Sequence, residues 1–342
     1  MKLRKCFFSL GLILALLLSG CGQAGSSEPS KPVDLEEIYV DQATVEGLEI
    51  EDEAVALSAA PPALNTMLLP QASGTLVNQN SRAIIDYSNT QDGYVMVQFT
   101  GTTTQRLKVL VQGPSYATES KLQYSYDLTP GEWTTFPLSD GNGSYTVMIC
   151  ENTVDTKYAM VLSQSFQVQL KDEFAPFLLP NQYVNYAAAP NTVAKAKELA
   201  GNETDPLKLV AAVYDFVVDN FTYDKQLAAT VQSGYLPVLD NVLSARKGIC
   251  FDYAAVMTGM LRSLGVPCKL VTGYVPVGGG KTGYHAWISV WTEKDGWVDG
   301  AIYFDGSVWK RMDPTFASSA KSSQSIMEYI GDGSNYSVKY IY

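Results

Sequence analysis

The chain has 342 residues, which is enough for about two domains of ordinary size. Hydrophobic residues make up 46% of the chain, a share that excludes disorder throughout its length. Its formal net charge is −11 at pH 7, and no basic face of the kind that binds nucleic acid is evident, so no nucleic-acid partner is expected.

The chain begins with the pattern of an export signal. Basic residues among the first five positions precede an apolar run from Phe7 to Leu18, and small residues follow. The run is shorter than the ~20 residues of a comfortable membrane span. The string "LSGC" resembles the lipobox of bacterial lipoproteins, which implies that residues 1–20 are a signal peptide and that Cys21 is lipidated. The alternative is a plain signal peptide with an incidental cysteine.

An acidic stretch follows the signal. Residues 28–53 hold ten acidic side chains and one basic side chain, Lys31. A run of like charges with few aromatic residues is typical of a solvated, extended spacer. We therefore expect residues 21–73 to be a flexible tether, and the acidity of the chain to belong mainly to this tether rather than to a binding face.

Residues 74–172 carry strand signals. Short runs rich in Val, Tyr and Phe alternate with turn residues, a pattern that predicts a β-sandwich-like domain. These runs are "YVMVQFTG", "RLKVLVQG", "KLQYSYDL", "GSYTVMIC" and "SQSFQVQL". The loop from Asp140 to Glu151 faintly resembles a calcium loop, but Tyr145 stands where such a loop needs glycine. A hairpin turn is the preferred interpretation.

Helical periodicity begins after a predicted linker that Pro176 and Pro180 mark. In "NTVAKAKELAG", Asn191 is the expected N-cap and the final glycine the stop. The next helix is expected from Asp205, its cap, to Phe221. Residues 177–342 are therefore expected to form an α+β domain.

Cys250 lies at the start of a further predicted helix. In "ARKGICFDYAAVMTGMLRSLGVPC" the helical pattern begins at the cysteine and stops at Gly265. Free backbone N–H groups and the positive end of the helix dipole favour a thiolate there. Gly248 allows the chain to approach closely. The alternative is that Cys250 is a small buried hydrophobic residue, as most free cysteines are.

The chain has one histidine, His285, in the run "GYHAWISVW". This run alternates as a strand does, with Tyr284 and Ala286 on one face and His285 and Trp287 on the other. An imidazole there can deprotonate the thiol and later protonate the leaving group. Asp313, just before a proline in "WKRMDPTF", is the expected group that orients the imidazole.

Three blocks together resemble the transglutaminase-like superfamily: "KGICFDYAAVMTGMLRSLGVPCKLVTGY", "YHAWISVW" and "RMDPTF". The resemblance covers roughly residues 177–342 and implies a papain-like core. It also implies that Cys250 is the nucleophile, His285 the base and Asp313 the orienting residue. The resemblance further implies that the oxyanion is stabilised by the backbone N–H of Cys250 together with an upstream aromatic residue. Tyr223 of "NFTYD" is the candidate, for which a rim or core tyrosine is the alternative.

The remaining cysteines are not expected to form a disulfide or to bind metal. Cys6 leaves with the signal, and Cys150 and Cys268 fall in different predicted domains. A large exported domain with its own core does not need a disulfide. One histidine and no Cys-x-x-Cys pair cannot supply the usual zinc ligands, and no cofactor is expected.

Three functions are compatible with these features. The first is an enzyme that transfers acyl groups through a Cys250 thioester on a protein or peptide substrate, with cell-wall peptides as one option, by hydrolysis or by cross-linking. The second is a surface binding module that keeps the fold without turnover and uses exposed aromatic residues such as Trp133, Tyr94 or Tyr124. The third is a structural protein of the cell envelope.

The N-terminal pattern makes a direct prediction about processing. Mass spectrometry of the membrane fraction should find a lipid-modified Cys21 as the mature N-terminal residue, because a lipobox directs both cleavage and diacylation. A soluble product that begins elsewhere with an unmodified cysteine would contradict it.

Overall fold

A computed structural model describes residues 33–34, 67–118, 120–278, 281–292, 296–298, 302–304, 309–311 and 337–342. The signal peptide, most of the predicted tether and Asp313 lie outside these residues. Within them, no helix is long and apolar enough to cross a membrane.

Two antiparallel sheets form the N-terminal region. Their strands are β1 (Val33–Asp34), β2 (Val77–Gln79), β3 (Ala83–Asp86), β4 (Tyr94–Phe99), β5 (Leu107–Gln112), β6 (Gln123–Asp127), β7 (Thr134–Pro137), β8 (Gly143–Val154) and β9 (Lys157–Val168). One sheet has the order β1-β9-β8-β5-β6 and the other β2-β3-β4-β7. Alternate side chains of both sheets, such as Val97 and Val109, meet in one buried core. The predicted strands and the all-β character of this region are confirmed.

The loop at Asp140 is not the hairpin turn that we expected. It joins β7 to β8, and these strands pair in different sheets. The Asp140 carboxylate accepts hydrogen bonds from the backbone N–H of Ser115 at 2.7 Å and from its hydroxyl at 2.6 Å. These hydrogen bonds therefore connect the β7–β8 loop, which passes from one sheet to the other, to the turn that follows β5.

The C-terminal region mixes helices and strands. Its elements are α1 (Pro190–Ala200), α2 (Pro206–Asn220), β10 (Thr222–Tyr223), α3 (Lys225–Thr230), α4 (Leu239–Ala245), β11 (Lys247–Gly248), α5 (Cys250–Ser263), β12 (Cys268–Gly278), β13 (Lys281–Thr292), β14 (Gly296–Val298), β15 (Ile302–Phe304), β16 (Trp309–Arg311) and β17 (Ser337–Ile341). The main sheet is antiparallel in the order β14-β13-β12-β17. Short parallel (β10-β11) and antiparallel (β15-β16) pairs accompany it. The predicted α+β class is confirmed.

The helix starts were predicted with mixed success. Asp205 caps α2 as expected, since its carboxylate accepts from the N–H of Leu207 at 2.9 Å. The expectation that Asn191 caps α1 is wrong, because that helix already begins at Pro190 and its N-cap residue is Ala189. Proline suits the first helical position. The free N–H groups of the first turn, including that of Thr192 at 2.8 Å, bind the Asp240 carboxylate of α4 instead.

The segment predicted as an exposed linker is buried. Residues 174–180 are all shielded from solvent. The Phe174 ring packs on Trp291 with ring centroids 4.7 Å apart, and Phe177 meets Trp297 edge-on at 5.2 Å. The expectation of an exposed linker is therefore wrong, because aromatic contacts hold this segment against the main sheet.

A cluster of tyrosines joins the two regions. Tyr124 and Tyr126 of β6 lie 5.6 and 6.1 Å from the ring of Tyr342, and Tyr183 lies 4.5 Å from that ring. Tyr124 is consequently only 4% exposed, so its expected role as an exposed binding residue is wrong. Trp133 is exposed, as that interpretation requires.

Arg262 anchors the far end of α5. Its guanidinium is fully buried and donates to the carbonyl oxygens of Cys268 at 2.8 Å, Leu179 at 2.6 Å and Tyr342. Burial lowers the pKa of Arg262 to about 10. The neighbouring Cys268 thiol is also fully buried, which raises its pKa to about 11. One side chain thus ties the helix to β12, to the buried segment and to the end of β17.

Replacing Arg262 should therefore destabilise the fold strongly. Arg262→Met leaves buried carbonyl oxygens without donors and is expected to lower the free energy of unfolding by about 3–5 kcal/mol. Urea denaturation measures this loss. The matched control is Arg82→Met, which removes a half-exposed ion pair with Glu151 and should cost under about 1 kcal/mol. Equal losses in the two variants would contradict the assignment.

Candidate active site

Helix α5 is buried everywhere except at its beginning. Each residue from Asp252 to Ser263 is buried, whereas Cys250 and Phe251 are half-exposed. The prediction that Cys250 lies in the first turn is confirmed, and the helix is followed by Gly265 at a φ of 80°. The N–H groups of a first turn have no acceptor within the helix and favour a negative charge beside them. The half-exposed sulfur of Cys250 thus lies at the first turn of α5.

The Asp252 side chain shapes this first turn. Its carboxylate accepts a hydrogen bond from the N–H of Ile249 at 2.8 Å and another from the Tyr235 hydroxyl at 2.7 Å. Sequence reasoning missed both residues. An acidic residue at the third helical position is a recognisable capping signal, but no sequence pattern pairs it with a tyrosine 17 positions upstream.

Gly248 is required by the position of Asp252. A Cβ atom on Gly248 would lie 2.6 Å from the Cβ of Asp252, closer than real side chains approach. Gly248 also pairs with Tyr223 in the short parallel ladder of β10 and β11. The backbone of Tyr223, the candidate oxyanion residue, is thereby held beside the residue that lies two positions before Cys250.

Helix α5 packs against the strand that carries His285. A connection of four residues separates α5 from β12, and β13 then runs antiparallel to β12. Both strands contact α5. Cys250 therefore begins a helix that packs on the strand of His285.

His285 is buried on β13 and shares a face with Trp287, whose ring centroid is 6.5 Å away. Strand alternation gives Ala286 and Ile288 the opposite face, which joins the core around α5. The predicted alternation is confirmed, although both faces are covered. No hydrogen bond links the Cys250 thiol to His285 among the described residues, and Asp313 lies outside them, so the triad stays a prediction.

Comparison with known proteins identifies part of the chain. Residues 193–300 match the Transglutaminase-like superfamily. These residues form a transglutaminase-like domain. The matched range includes Cys250 and His285 and ends before Asp313.

Individual relatives are distant or cover a small part of the chain. The protein-glutamine gamma-glutamyltransferase of Pseudomonas aeruginosa is 33% identical over 119 residues, which are 32% of this chain and 17% of that protein. A Cytophaga hutchinsonii protein described provisionally as a cysteine protease has a TM-score of 0.36 and 17% identity, and the match covers 73% of this chain and 83% of that one. The red sea bream transglutaminase has a TM-score of 0.26 and 12% identity over 67% of this chain and 54% of that one.

The described part of the transglutaminase-like domain contains no metal-binding group. Within that part of the chain, no cluster of three or more His, Cys, Asp or Glu side chains could hold an ion. Cys150, Cys250 and Cys268 are free thiols. Of these three thiols, Cys250 is half-exposed and lies at a helix start.

Gly248→Ala should disturb the start of α5. The added methyl group displaces Asp252, and overpacking of this kind is expected to cost about 1–3 kcal/mol of unfolding free energy. The matched control is Gly259→Ala in the same helix, where the new Cβ would lie 2.7 Å from the terminal methyl of Leu239, which can move aside. Thermal unfolding should show a clear loss for Gly248→Ala and little change for the control. The reverse order would contradict this account.

Proposed function

We propose that the chain is a cell-surface thiol enzyme that transfers acyl groups through a thioester on Cys250. The observation that carries the proposal is the contrast among the described cysteines. Cys150 and Cys268 are only 6% and 0% exposed, and burial raises the pKa of each to about 11, whereas Cys250 is half-exposed at a helix start. Among these three thiols, Cys250 is the one that is exposed enough to meet a substrate.

The proposed reaction assigns one role to each predicted residue. The Cys250 sulfur attacks the carbonyl carbon of a peptide or carboxamide while His285 takes the thiol proton. The imidazolium then gives that proton to the departing amine or ammonia, which leaves a thioester. Asp313 orients the imidazole and stabilises its charged form. The N–H of Cys250, with Tyr223, stabilises the oxyanion of the tetrahedral intermediate.

Resolution of the thioester decides between two activities. Water gives a carboxylic acid and makes the protein a peptidase or amidase, whereas an amine gives a new amide and makes it a transglutaminase. In both cases the Cys250 thiol is restored. The name of the P. aeruginosa relative supports a glutamine carboxamide as the acyl donor.

The proposed location follows from the N-terminal sequence. A lipid on Cys21 anchors the protein outside the cytoplasmic membrane, and the acidic tether of residues 21–73 holds the catalytic region away from the surface. Protein or peptide substrates at the cell surface are then within reach. The non-catalytic binding module is the alternative, and the exposed Trp133 supports it.

The test is the alkylation rate of Cys250 in the full chain, followed by peptide mass spectrometry across a range of pH. Cys250 should react much faster than Cys150 and Cys268. His285→Ala should slow Cys250 by about tenfold or more near pH 6, because no other imidazole is present to replace it. Asp313→Asn should lower turnover while leaving the thiol reactive.

The control for this experiment is Tyr284→Phe, a change at the neighbouring exposed position of β13. It should leave the Cys250 rate unchanged. Identical pH profiles for the wild type and His285→Ala would show that the histidine does not activate the thiol. The binding module would then be the better interpretation.

A further inference from the structure

The Asp252 carboxylate is an unusual group for the interior of a protein. It is 0% exposed, and among the residues that the structure describes it forms no ion pair. Its hydrogen-bond donors are the Tyr235 hydroxyl and the Ile249 N–H. The charge of Asp224 also acts on it, and Asp224 itself pairs with Lys247 at 3.0 Å. A buried carboxylate with this environment needs an explanation other than stability.

The protonation equilibrium gives the sign of its effect on stability. Burial raises the pKa of Asp252, the two hydrogen bonds lower it in part, and the charge of Asp224 raises it further. Since the pKa in the fold lies above that of the unfolded chain, ionisation of Asp252 costs stability. The penalty is absent below the unfolded pKa, near 3.9, and complete above the folded pKa. The penalty therefore grows as the pH rises through the folded pKa of Asp252.

The Asp252 carboxylate contributes to the structure at the start of α5. Ile249, the N-cap residue, has no side-chain oxygen to bind the N–H groups of the first turn. Asp252 supplies half of a capping box by holding the Ile249 N–H. This bond fixes the backbone on which Cys250 sits, and it leaves the N–H groups of the first turn available to the sulfur and to an oxyanion.

Tyr235 attaches a neighbouring segment to the start of α5. It belongs to residues 231–238, which connect α3 to α4, and its hydrogen bond attaches that segment to the first turn of α5. The same segment approaches the β-sandwich, since a Cβ atom on Gly234 would lie 3.8 Å from the Asp127 carboxylate. The segment is therefore fixed next to the cysteine.

We propose that Asp252 and Tyr235 form a positioning pair that holds Cys250 in its reactive place at the start of α5 and fastens residues 231–238 beside it. The inference rests on the proposed function, because the pair is proposed to keep Cys250 in a reactive position. It predicts that reactivity and stability respond in opposite directions when the charge of Asp252 is removed.

The experiment compares Asp252→Asn, Tyr235→Phe and the double variant with wild type, all as the full chain. Asp252→Asn should slow alkylation of Cys250 at pH 7 by about fivefold, because a loosened first turn stabilises a thiolate less. Its melting temperature should equal or exceed that of wild type at pH 7, and this advantage should shrink as the pH falls. If Asp252 had a merely structural role, Asp252→Asn would lower both quantities.

Tyr235→Phe should lower both the Cys250 rate and the melting temperature at pH 7, because the carboxylate stays buried but loses a donor. The double variant should react no more slowly than Asp252→Asn, as two residues acting as one unit do. The matched control is Asp205→Asn at the start of α2, where asparagine caps a helix about as well as aspartate. It should change neither quantity.

Two outcomes separate this inference from the proposed function. If Cys250 reacts fast in wild type but equally fast in Asp252→Asn, the positioning pair is wrong and the proposed function stands. If Cys250 reacts no faster than Cys268 in wild type, the proposed function is wrong. Hydrogen exchange at the Ile249 amide then still decides whether Asp252 holds the helix start: faster exchange in Asp252→Asn supports it, and unchanged exchange overturns it.

Discussion

The burial of α5 is the constraint on which the C-terminal region depends. Helices α1, α2 and α4 and strands β12 and β13 all pack against it. Because the buried residues run without a break from Asp252 to Ser263, solvent reaches the helix only at its first two residues, Cys250 and Phe251. A side chain of this helix that must meet a substrate can lie only at this end, and Cys250 lies there.

Two ionisable side chains that form no ion pair with any described residue fix the ends of this helix. Arg262 binds three backbone carbonyl groups at the far end, and Asp252 binds one backbone N–H and one hydroxyl at the start. Both side chains are fully buried. Burial raises the pKa of Asp252 and lowers the pKa of Arg262, because it disfavours the charged form of each. The first connects α5 to the elements that surround the tyrosine cluster, and the second determines the geometry around Cys250.

Local patterns predicted local structure well. The strand runs, the cap at Asp205 and the helix start at Cys250 follow from turn residues, capping residues and periodicity, which act over a few positions. The Cys250 and His285 positions were recognisable because each is a rare residue type at a characteristic place in an element. The packing of α5 on the strand that carries His285 is a feature that the sequence alone did not provide.

Long-range contacts account for what the sequence could not predict. Asp240 replaces Asn191 as the cap of α1 from a position 48 residues away from Thr192. The buried linker and the burial of Tyr124 depend on aromatic rings from β14 and β17 and their surroundings. The hydrogen bond between Tyr235 and Asp252 also joins residues that are distant in the sequence. No sequence pattern around either residue indicates the other.

The central claim is that Cys250 forms a thioester during turnover, and trapping that adduct tests it most directly. The full chain would be mixed with glutamine-containing peptides, quenched in acid and mapped by peptide mass spectrometry. The account predicts an adduct on Cys250 whose mass equals that of the peptide less ammonia, or of an acyl fragment of a cleaved peptide. Hydroxylamine should release it. An adduct that survives in Cys250→Ser, or none on Cys250 across a broad peptide library, would contradict the account.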